Sequence, residues 1–340
     1  MKNIFITGGA GYIGSHCVIS LSKSGYRPII LDNFSNSNKS VIKKLEKITK
    51  KKIIFYKVDL RNKKKLNIIF KKYPCHALIH CAGFKSVGES IHNPIKYFNN
   101  NIISAITLFE CMQENNIFKI IFSSSASIYK DNQALPLSEN SKTGDTTNPY
   151  ANTKYIIERI LTDLTTTDKR WSVRIARYFN PISNHSSAII KEDPKGIPNN
   201  LVPCITKVAQ KKIKLLKIFG KNYKTKDGTG IRDYIHVVDL AEGHVAMLKN
   251  NRMKPGLKIY NFGTGKGQSV LEVLKEFQTQ TGLSIPFKFT NKRVGDIAKS
   301  YCSSKKAFKE LNWKAKYNLK KAMLDIKKTL FNLKRDITII

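Results

Sequence analysis

The stretch NPYANTKYIIERIL, residues 148–161, contains a tyrosine and a lysine that could move a proton. Asn148 is a suitable N-cap and Pro149 suits the first helical position, so a helix is predicted to begin here. Tyr150 and Lys154 then lie on one face of that helix. A phenol with its ordinary pKa of about 10 needs a nearby cation to act as a base at neutral pH. An ordinary amphipathic surface helix would show the same pattern, so these residues alone leave both interpretations open.

A glycine motif near the N-terminus predicts a dinucleotide-binding site. In TGGAGYIG, Gly8, Gly11 and Gly14 follow a predicted strand and open a predicted helix. In this arrangement a tight turn and a helix N-terminus hold a pyrophosphate. The second predicted strand ends in Asp32, 18 residues beyond Gly14, where a carboxylate can bind the adenosine ribose hydroxyls. No arginine follows Asp32, which favours NAD over NADP.

Further residues are predicted at the same edge of the sheet. Asp59 and Leu60 close the third predicted strand, and Cys81, Ala82 and Gly83 close the fourth. Ligands of doubly wound sheets bind at the carboxyl ends of the strands, so these positions are expected to line the cofactor. A loop carboxylate that caps a turn would also explain Asp59.

The elements that would hold these residues alternate between strand and helix. Strands separated by helices form a parallel, doubly wound sheet, because parallel neighbours need crossover connections. After about residue 180 the alternation loosens, and turn-rich segments such as 192–200 and 221–234 are typical of substrate-binding loops. The predicted strands are Asn3–Thr7, Pro28–Asn33, Ile53–Leu60, Ala77–Ala82, Lys119–Ser125 and Trp171–Phe179, and the predicted helices include Ile13–Lys23, Pro94–Asn115 and Pro149–Thr165.

Composition argues against several classes of protein. With 340 residues, 41% of them apolar, the chain can bury a core, which argues against disorder. No apolar run approaches the ~20 residues of a membrane helix, and the N-terminus is interpreted as a strand, not a signal peptide. The cysteines form no CxxC pair, so no disulfide framework and no metal site are expected, and the cytoplasm is the expected location. These cysteines are Cys17, Cys75, Cys81, Cys111, Cys204 and Cys302.

The net charge of +36 could indicate a nucleic-acid partner. Only 10 of the 60 basic residues are arginine, the residue that base and phosphate recognition favours. The lysines are also scattered, without one stripe interleaved with aromatic residues. We therefore interpret them as solvated faces and predict no specific nucleic-acid partner. Weak attraction of polyanions, or of an anionic substrate, stays compatible with the charge.

Ordered sequence blocks over nearly the whole chain resemble the UDP-glucose 4-epimerase family of the extended short-chain dehydrogenase/reductases. The blocks are TGGAGYIGSH, LDNFSNS, HCAGFKSVGES, IFSSSASIY, PYANTK, RYFNP, GIPNNL, DGTGIRDYIHVVDLA and YNFGTG. The resemblance implies tightly held NAD and interconversion of UDP-galactose and UDP-glucose. In that reaction a base takes the proton of the sugar 4-hydroxyl while hydride leaves C4 for the nicotinamide. The 4-keto sugar then turns over and receives the hydride on its other face.

The resemblance assigns the proton transfer to three residues. Tyr150 would be the base, and Lys154 would supply the positive field together with the nicotinamide cation. Ser125, at the end of the fifth strand, would hydrogen-bond the same hydroxyl. Related nucleotide-sugar 4,6-dehydratases carry Asp-Glu directly after the corresponding hydroxyl residue. Ala126 and Ser127 stand there in this chain and cannot serve as acid and base, so elimination of water is not expected.

The resemblance also implies two sets of binding residues. The set for NAD is Gly8, Gly11, Tyr12, Ile13, Gly14, Asp32, Asn33, Asn36, Ser37, Asp59, Leu60, Ala82, Gly83, Lys85, Asn100, Tyr150, Lys154 and Tyr178. The set for the UDP-sugar is Lys85, Ser125, Tyr150, Asn180, Asn200, Leu201, Phe219, Arg232, Arg293, Asp296 and Ser300. Arginines suit a diphosphate because they are always charged and bind it with two donors, although a loop arginine can also form a surface ion pair.

One position bears on the choice of sugar. Family members confined to plain hexoses have a bulky tyrosine where this chain has Ser300, and a small residue goes with acceptance of N-acetylated sugars. Ser300 therefore predicts turnover of UDP-N-acetylglucosamine and UDP-N-acetylgalactosamine. A shift of the alignment by one residue would instead bring Tyr301 to this position.

The chain departs from the family where glycines are usual. Lys130, Ala151, Ser183, Ala188 and Lys191 stand at such positions. Three of these losses fall within ISNHSSAIIKE, which puts the backbone freedom of that stretch in doubt.

Domain organisation and assembly are inferred from the resemblance. We expect an α/β protein whose residues 1–180 form a Rossmann-type doubly wound parallel sheet that binds NAD. Residues 181–340 are expected to form a smaller C-terminal substrate-binding lobe, with the chain crossing back to the sheet around 232–262. A homodimer is implied, built from the helices at Pro94–Asn115 and Pro149–Thr165, where Ile156 and Ile160 would suit such packing.

Two alternatives stay open. The nearer is a related nucleotide-sugar epimerase, such as one that acts on UDP-uronic acids. The farther is a non-enzymatic NAD-binding regulatory or polyanion-binding protein, which the charge suggests.

Overall fold

The structure, a computed structural model, describes residues 1–193, 198–250, 253–293 and 295–337, and of 333–337 only the backbone. The strands are β1 (Asn3–Thr7), β2 (Arg27–Asp32), β3 (Ile54–Lys57), β4 (Cys75–His80), β5 (Lys119–Ser125), β6 (Ser172–Tyr178), β7 (Asn180–Ile182), β8 (Leu216–Phe219), β9 (Ile231–His236), β10 (Gly256–Phe262), β11 (Gly267–Ser269), β12 (Phe287–Thr290) and β13 (Lys299–Ser300). The helices are α1 (Tyr12–Lys23), α2 (Ser40–Thr49), α3 (Lys63–Lys72), α4 (Val87–His92), α5 (Pro94–Phe98), α6 (Ser104–Glu114), α7 (Pro149–Thr167), α8 (Leu201–Ala209), α9 (Val237–Lys249), α10 (Val270–Thr281), α11 (Lys305–Leu311) and α12 (Leu319–Ile337).

A parallel sheet forms the centre of the fold. Among the described residues it has seven strands in the order β10-β6-β5-β4-β1-β2-β3. Helices α1, α2 and α9 cover one face, and α3, α6 and α7 cover the other. Strands buried on both faces carry continuous apolar runs, which is why Ile and Phe dominate the predicted strands. The predicted α/β fold with a doubly wound, Rossmann-type sheet is confirmed.

Several predicted elements differ from the observed ones at their ends or in their regularity. The predicted strand Ile53–Leu60 is reduced to β3, and the predicted helix Pro94–Asn115 contains a π-helical turn at Asn99–Ile103 between α5 and α6. The turn-rich stretch 192–200 lies partly outside the described residues, and 221–234 ends within β9.

Smaller sheets form the C-terminal part of the chain. Strands β7, β9, β11 and β13 make one of them, and β8 pairs with β12 in another. Their side chains pack with α8, α10 and α12 in a separate apolar cluster. Strand β10 then joins the main sheet by pairing with β6, whereas β9 stays in the smaller sheet.

Helix α7 begins as its sequence predicts. The Asn148 side chain accepts a hydrogen bond from the Ala151 backbone N–H at 2.9 Å, and Pro149 occupies the first turn. Ile157 and Leu161 pack into the core beneath the sheet. None of the described helices is long and apolar enough to cross a membrane.

Two of the lost glycines fall where the backbone requires a left-handed conformation. Ser183 has a φ of 79° and Ala188 a φ of 59°, whereas Lys130, Ala151 and Lys191 have no positive φ. A side chain in this region costs roughly 1–2 kcal/mol. The Ser183 hydroxyl donates to the Ala322 carbonyl at 2.9 Å, a buried hydrogen bond that offsets part of the cost. The loss of glycine therefore strains the backbone of ISNHSSAIIKE at these two positions.

Candidate functional site

A cavity of about 440 Å³ lies along the carboxyl ends of β1 to β4. Residues 189–193 form its opposite wall, directly after the two strained positions. Most of the residues predicted to bind NAD line this one cavity. They are Gly8, Gly11, Tyr12, Ile13, Gly14, Asp32, Asn33, Asn36, Ser37, Asp59, Leu60, Ala82, Gly83, Lys85 and Asn100. Tyr150, Lys154 and Tyr178 are not among its lining residues.

The glycine turn is built for close approach of backbones. Gly8 has a φ of 66°, and a Cβ there would lie 2.8 Å from the Ala82 nitrogen. A Cβ on Gly14 would collide with the Gly8 carbonyl oxygen. Gly11 is the N-cap of α1 and has no side chain to occupy the helix N-terminus. The cradle therefore fits the pyrophosphate of a dinucleotide, and any larger side chain would fill it.

Asp32 is held rigidly at the end of β2. One carboxylate oxygen accepts from the Ala10 N–H at 3.0 Å, and the other accepts from the Phe34 N–H at 2.8 Å and the Ser37 hydroxyl at 2.9 Å. Asp59 faces a different set of partners. The Arg61 side chain binds it and holds its pKa well below the usual range, and the Asn33 amide donates to it at 3.2 Å. Asp59 thus both anchors a turn and lines the cavity.

Lys85 joins the two walls of the cavity. Its ammonium donates to the Glu192 carboxylate at 2.8 Å and lies 5.6 Å from the centre of the Tyr12 ring. The Tyr12 hydroxyl in turn donates to the Ser183 carbonyl at 2.6 Å. The glycine turn, the loop after β4 and the strained segment are therefore linked across the cavity.

Ser125 and Tyr150 lie close together, outside the lining of the cavity. Ser125 ends β5, and Tyr150 lies in the first turn of α7. Burial raises the pKa of Tyr150, while the Ser125 hydroxyl and the charge of Lys85 act in the opposite direction. A hydroxyl pair with a nearby cation is the arrangement that proton transfer to and from an alcohol needs.

Lys154 lies one turn beyond Tyr150 but points elsewhere. It is only 6% exposed, and its ammonium donates to the Ser123 carbonyl at 2.8 Å. Burial lowers its pKa to about 8, opposed by the charges of Cys81 and Glu158. Among the described residues, the charge that acts on the pKa of Tyr150 is that of Lys85. That Lys154 supplies the positive charge that acts on Tyr150 therefore stays a prediction. The sequence analysis expected Lys85 to bind ligands but missed the effect of its charge on the pKa of Tyr150.

A buried ion pair fixes α7 to the sheet, and it was also missed. The Glu158 carboxylate binds the Arg177 guanidinium at 2.7 Å and accepts a hydrogen bond from the Ser124 hydroxyl. Arg177 also donates to the Tyr129 hydroxyl and to the Glu139 carbonyl, both at 3.1 Å. A possible signal was present in the sequence, because Glu158 interrupts the apolar face of α7 one turn after Lys154.

The residues predicted to bind a UDP-sugar gather around the smaller sheets. Arg293 donates to Asp296 at 3.0 Å and lies 4.6 Å from the centre of the Phe219 ring. Arg232 lies 3.8 Å from the same carboxylate, and its strand pairs with Ser300. Asn200 and Leu201 open α8, close to Arg293, whose guanidinium donates to the Asn199 carbonyl at 3.4 Å. Both arginines thus form ion pairs, and Asn180 begins β7, where it pairs with Tyr234 of the strand that carries Arg232.

Comparison with known proteins gives consistent matches over most of the chain. Residues 4–263 match the family described as "NAD dependent epimerase/dehydratase family". The UDP-glucose 4-epimerase of Bacillus subtilis is 47% identical over 322 residues, which is 95% of each chain. That of Dictyostelium discoideum is 48% identical over 316 residues, covering 93% of this chain and 92% of the relative.

Solved structures of similar proteins agree with this chain in fold. The UDP-glucose 4-epimerase of Bifidobacterium longum, in complex with NAD⁺ and UDP, matches with a TM-score of 0.95 and 42% identity, over 97% of this chain and 98% of that one. The UDP-Glc/GlcNAc 4-epimerase of Campylobacter jejuni matches with a TM-score of 0.84 and 30% identity, over 98% and 100%.

The buried ion pair can be tested by Glu158→Gln, which keeps the shape of the side chain and leaves Arg177 unpaired. Breaking a buried pair costs about 3–5 kcal/mol, so the free energy of unfolding should fall by roughly that amount. The measurement is urea unfolding of the full chain. The matched control is Glu242→Gln, which breaks the exposed pair with Lys316 and should cost less than about 1 kcal/mol. Equal losses in the two variants would show that the Glu158 pair does not hold α7.

Proposed function

The chain belongs to the NAD dependent epimerase/dehydratase family, and within it we propose a UDP-glucose 4-epimerase that interconverts UDP-galactose and UDP-glucose. The observation that carries this proposal is a cavity that fits a dinucleotide at the carboxyl ends of the strands, with Ser125 at the end of the neighbouring strand β5 and Tyr150 close to Ser125. Curated UDP-glucose 4-epimerases that match over about 95% of the chain support it further.

NAD is the cofactor, and the residues of the cavity fit it. The turn at Gly8 to Gly14 would hold the pyrophosphate at the N-terminus of α1. The Asp32 carboxylate would accept hydrogen bonds from the adenosine ribose. When bound, NAD supplies the acceptor for the hydride of the sugar and the same hydride for its return. A reaction of this kind has no net redox change.

Proton transfer falls to the hydroxyl pair. The Tyr150 phenol would take the proton of the sugar 4-hydroxyl, and Ser125 would hold that hydroxyl in place. Burial opposes formation of the phenolate, and the ammonium of Lys85 lowers that cost. Lys154, fixed to the Ser123 carbonyl, would add positive charge beneath the same helix turn. When the sugar is reduced again, the phenol would return the proton.

Binding of the nucleotide would fall to the smaller sheets. Arg232 and Arg293 already share the Asp296 carboxylate, so a diphosphate would meet guanidinium groups that are held in place. The net charge of +36 favours the approach of such an anion. These features support a UDP-sugar as the substrate class.

Other reactions of nucleotide sugars fit the residues of this site less well. Ala126 and Ser127 form a short 3₁₀ turn after Ser125 and offer no carboxylate for the elimination of water. An epimerase on UDP-uronic acids stays the nearer alternative. It would show turnover that depends on the sugar carboxylate.

The test of the proposed function is Tyr150→Phe. Loss of a general base costs about 10²–10⁴-fold in rate, so turnover of UDP-galactose should fall by that factor. The amount of NAD bound per chain, measured after its release by denaturation, should be the same as in the wild type. The measurement is a coupled assay for UDP-glucose without added reductant, with UDP-galacturonic acid as a second substrate. The control is Tyr155→Phe, on the same helix, which should keep its activity. Full activity of Tyr150→Phe would contradict the proposal.

Substrate breadth is proposed from Ser300. It lies 8% exposed in β13, and its backbone pairs with Arg232. Successive side chains of a strand point to opposite faces, so Tyr301 would lie on the face away from Ser300. The Tyr301 ring lies against Gly267 of β11. The fold tolerates an N-acetyl group, since the matched enzyme from Campylobacter jejuni is a UDP-Glc/GlcNAc 4-epimerase.

We therefore expect the chain to epimerise UDP-N-acetylglucosamine, and Ser300→Tyr to abolish this activity while UDP-galactose is still turned over. The reason is steric, because a phenol would fill the space of the N-acetyl group. Rates on both substrates measure the effect. Tyr301→Ser is the matched control and should leave the ratio of the two rates unchanged. No turnover of the N-acetylated sugar by the wild-type chain would remove this proposal.

A homodimer is proposed from an exposed apolar surface. Ile95, Ile103 and Ile106, on the helical segment of α5 and α6, are 77%, 47% and 38% exposed. Ile156 of α7 is half-buried, and Ile160 packs partly on the core of its own chain. Of the two helical regions expected in the interface, the segment of α5 and α6 therefore exposes more apolar surface than α7 does.

The dimer proposal predicts that light scattering gives twice the chain mass of 38.6 kDa. Ile103→Lys would bury a charge in the interface and should yield monomers. Ile68→Lys is the control, because Ile68 is 67% exposed on α3, outside the proposed interface. A monomeric wild-type chain would refute the proposal.

A further inference from the structure

Three metal-ligand side chains meet beside the cavity. They are Cys17 of α1, Cys81 directly after β4, and His244 of α9. Their ligand atoms all lie within 4.8 Å of one another. Two thiolates and an imidazole are ligands that Zn²⁺ prefers. We propose that Cys17, Cys81 and His244 form a binding site for a soft divalent cation of the Zn²⁺ type.

His244 is prepared to act as a ligand through Nε2. Its Nδ1 lies 2.9 Å from the Leu240 carbonyl oxygen, which can only accept, so the ring proton stands on Nδ1. A hydrogen bond of this kind fixes ring orientation and tautomer in zinc sites. Its Nε2 is hydrogen-bonded to the Tyr178 hydroxyl, which a cation bound at this nitrogen would displace.

The surroundings of Cys81 favour a thiolate. The Ser123 hydroxyl donates to its sulfur at 3.1 Å. The neighbouring Cys17 thiol and the charge of Lys154 lower the pKa of Cys81, whereas burial raises the pKa of Cys17. Binding would form two metal–sulfur bonds and release up to two protons to solvent, so two thiolates neutralise the cation.

The cluster opens to the cavity at Cys81. Cys81 is half-buried and lines the cavity wall, whereas Cys17 and His244 are fully buried behind it. An entry path and a fixed ligand orientation are both expected of a metal site. The site takes no part in the steps proposed for the epimerase, and it does not depend on that function.

The test is titration of the full chain, with its measured NAD content, by Co²⁺ and then Zn²⁺. Tetrahedral Co²⁺ bound by thiolates absorbs strongly in the visible region, whereas hydrated Co²⁺ does not. We expect one Co²⁺ per chain, displaced by Zn²⁺. Cys17→Ser and His244→Gln should each weaken binding by about tenfold or more. Cys204→Ser, which changes a cysteine outside the cluster, should bind as the wild type does.

A second measurement does not require a variant. Zn²⁺ should protect Cys81 of the wild-type chain from alkylation and leave the rate at Cys204 unchanged. Absence of saturable Co²⁺ binding, or unchanged affinity in His244→Gln, would overturn the proposal. Because neither readout measures epimerisation, failure here is distinct from failure of the proposed function.

Discussion

The buried ion pair between Glu158 and Arg177 is the constraint on which the site depends. Arg177 stands opposite Ser124 in the pairing of β5 with β6, and Glu158 binds both residues from α7. Two charges removed from water cost several kcal/mol each unless their remaining donors and acceptors are satisfied. Here a hydroxyl, a phenol and a backbone carbonyl satisfy them. The pair therefore holds the helix with Tyr150 against the strand that ends in Ser125.

The cavity depends on a second constraint, the close approach of backbones at the glycine turn. The Gly8 backbone touches the chain after β4, and Gly14 touches the turn itself, so α1 starts directly at the sheet edge. On the opposite wall Ser183 and Ala188 adopt left-handed conformations, which cost free energy for residues with a side chain. The Tyr12–Ser183 and Lys85–Glu192 hydrogen bonds connect the two walls. The strain thus lies in the segment that closes the cavity.

The use of arginine and lysine explains how so basic a chain carries a specific site. Arg174 and Arg177 are 2% and 4% exposed and bind carbonyl and carboxylate groups inside the fold. Arg232 and Arg293 share one carboxylate beside the smaller sheets. The planar guanidinium suits such multiple hydrogen bonds, whereas most lysines keep their charge in solvent. The positive charge therefore favours anions in general, and the few arginines give it a fixed geometry.

The sequence by itself determined the local features. Capping by Asn148, the glycine turn, the parallel sheet and the shared helix face of Tyr150 and Lys154 follow from short periodicities and turn chemistry. Most residues expected around NAD indeed line one cavity. These features depend on neighbours in sequence, so spacing is enough to find them.

Only the tertiary structure decided which distant side chains meet. It directs Lys154 to the Ser123 carbonyl, brings Lys85 to act on Tyr150, and gathers Cys17, Cys81 and His244 from three elements. It also pairs Ser300 with Arg232 across strands far apart in sequence. No local period encodes such contacts, because they arise only when separate elements pack on one sheet and their buried polar groups must find partners.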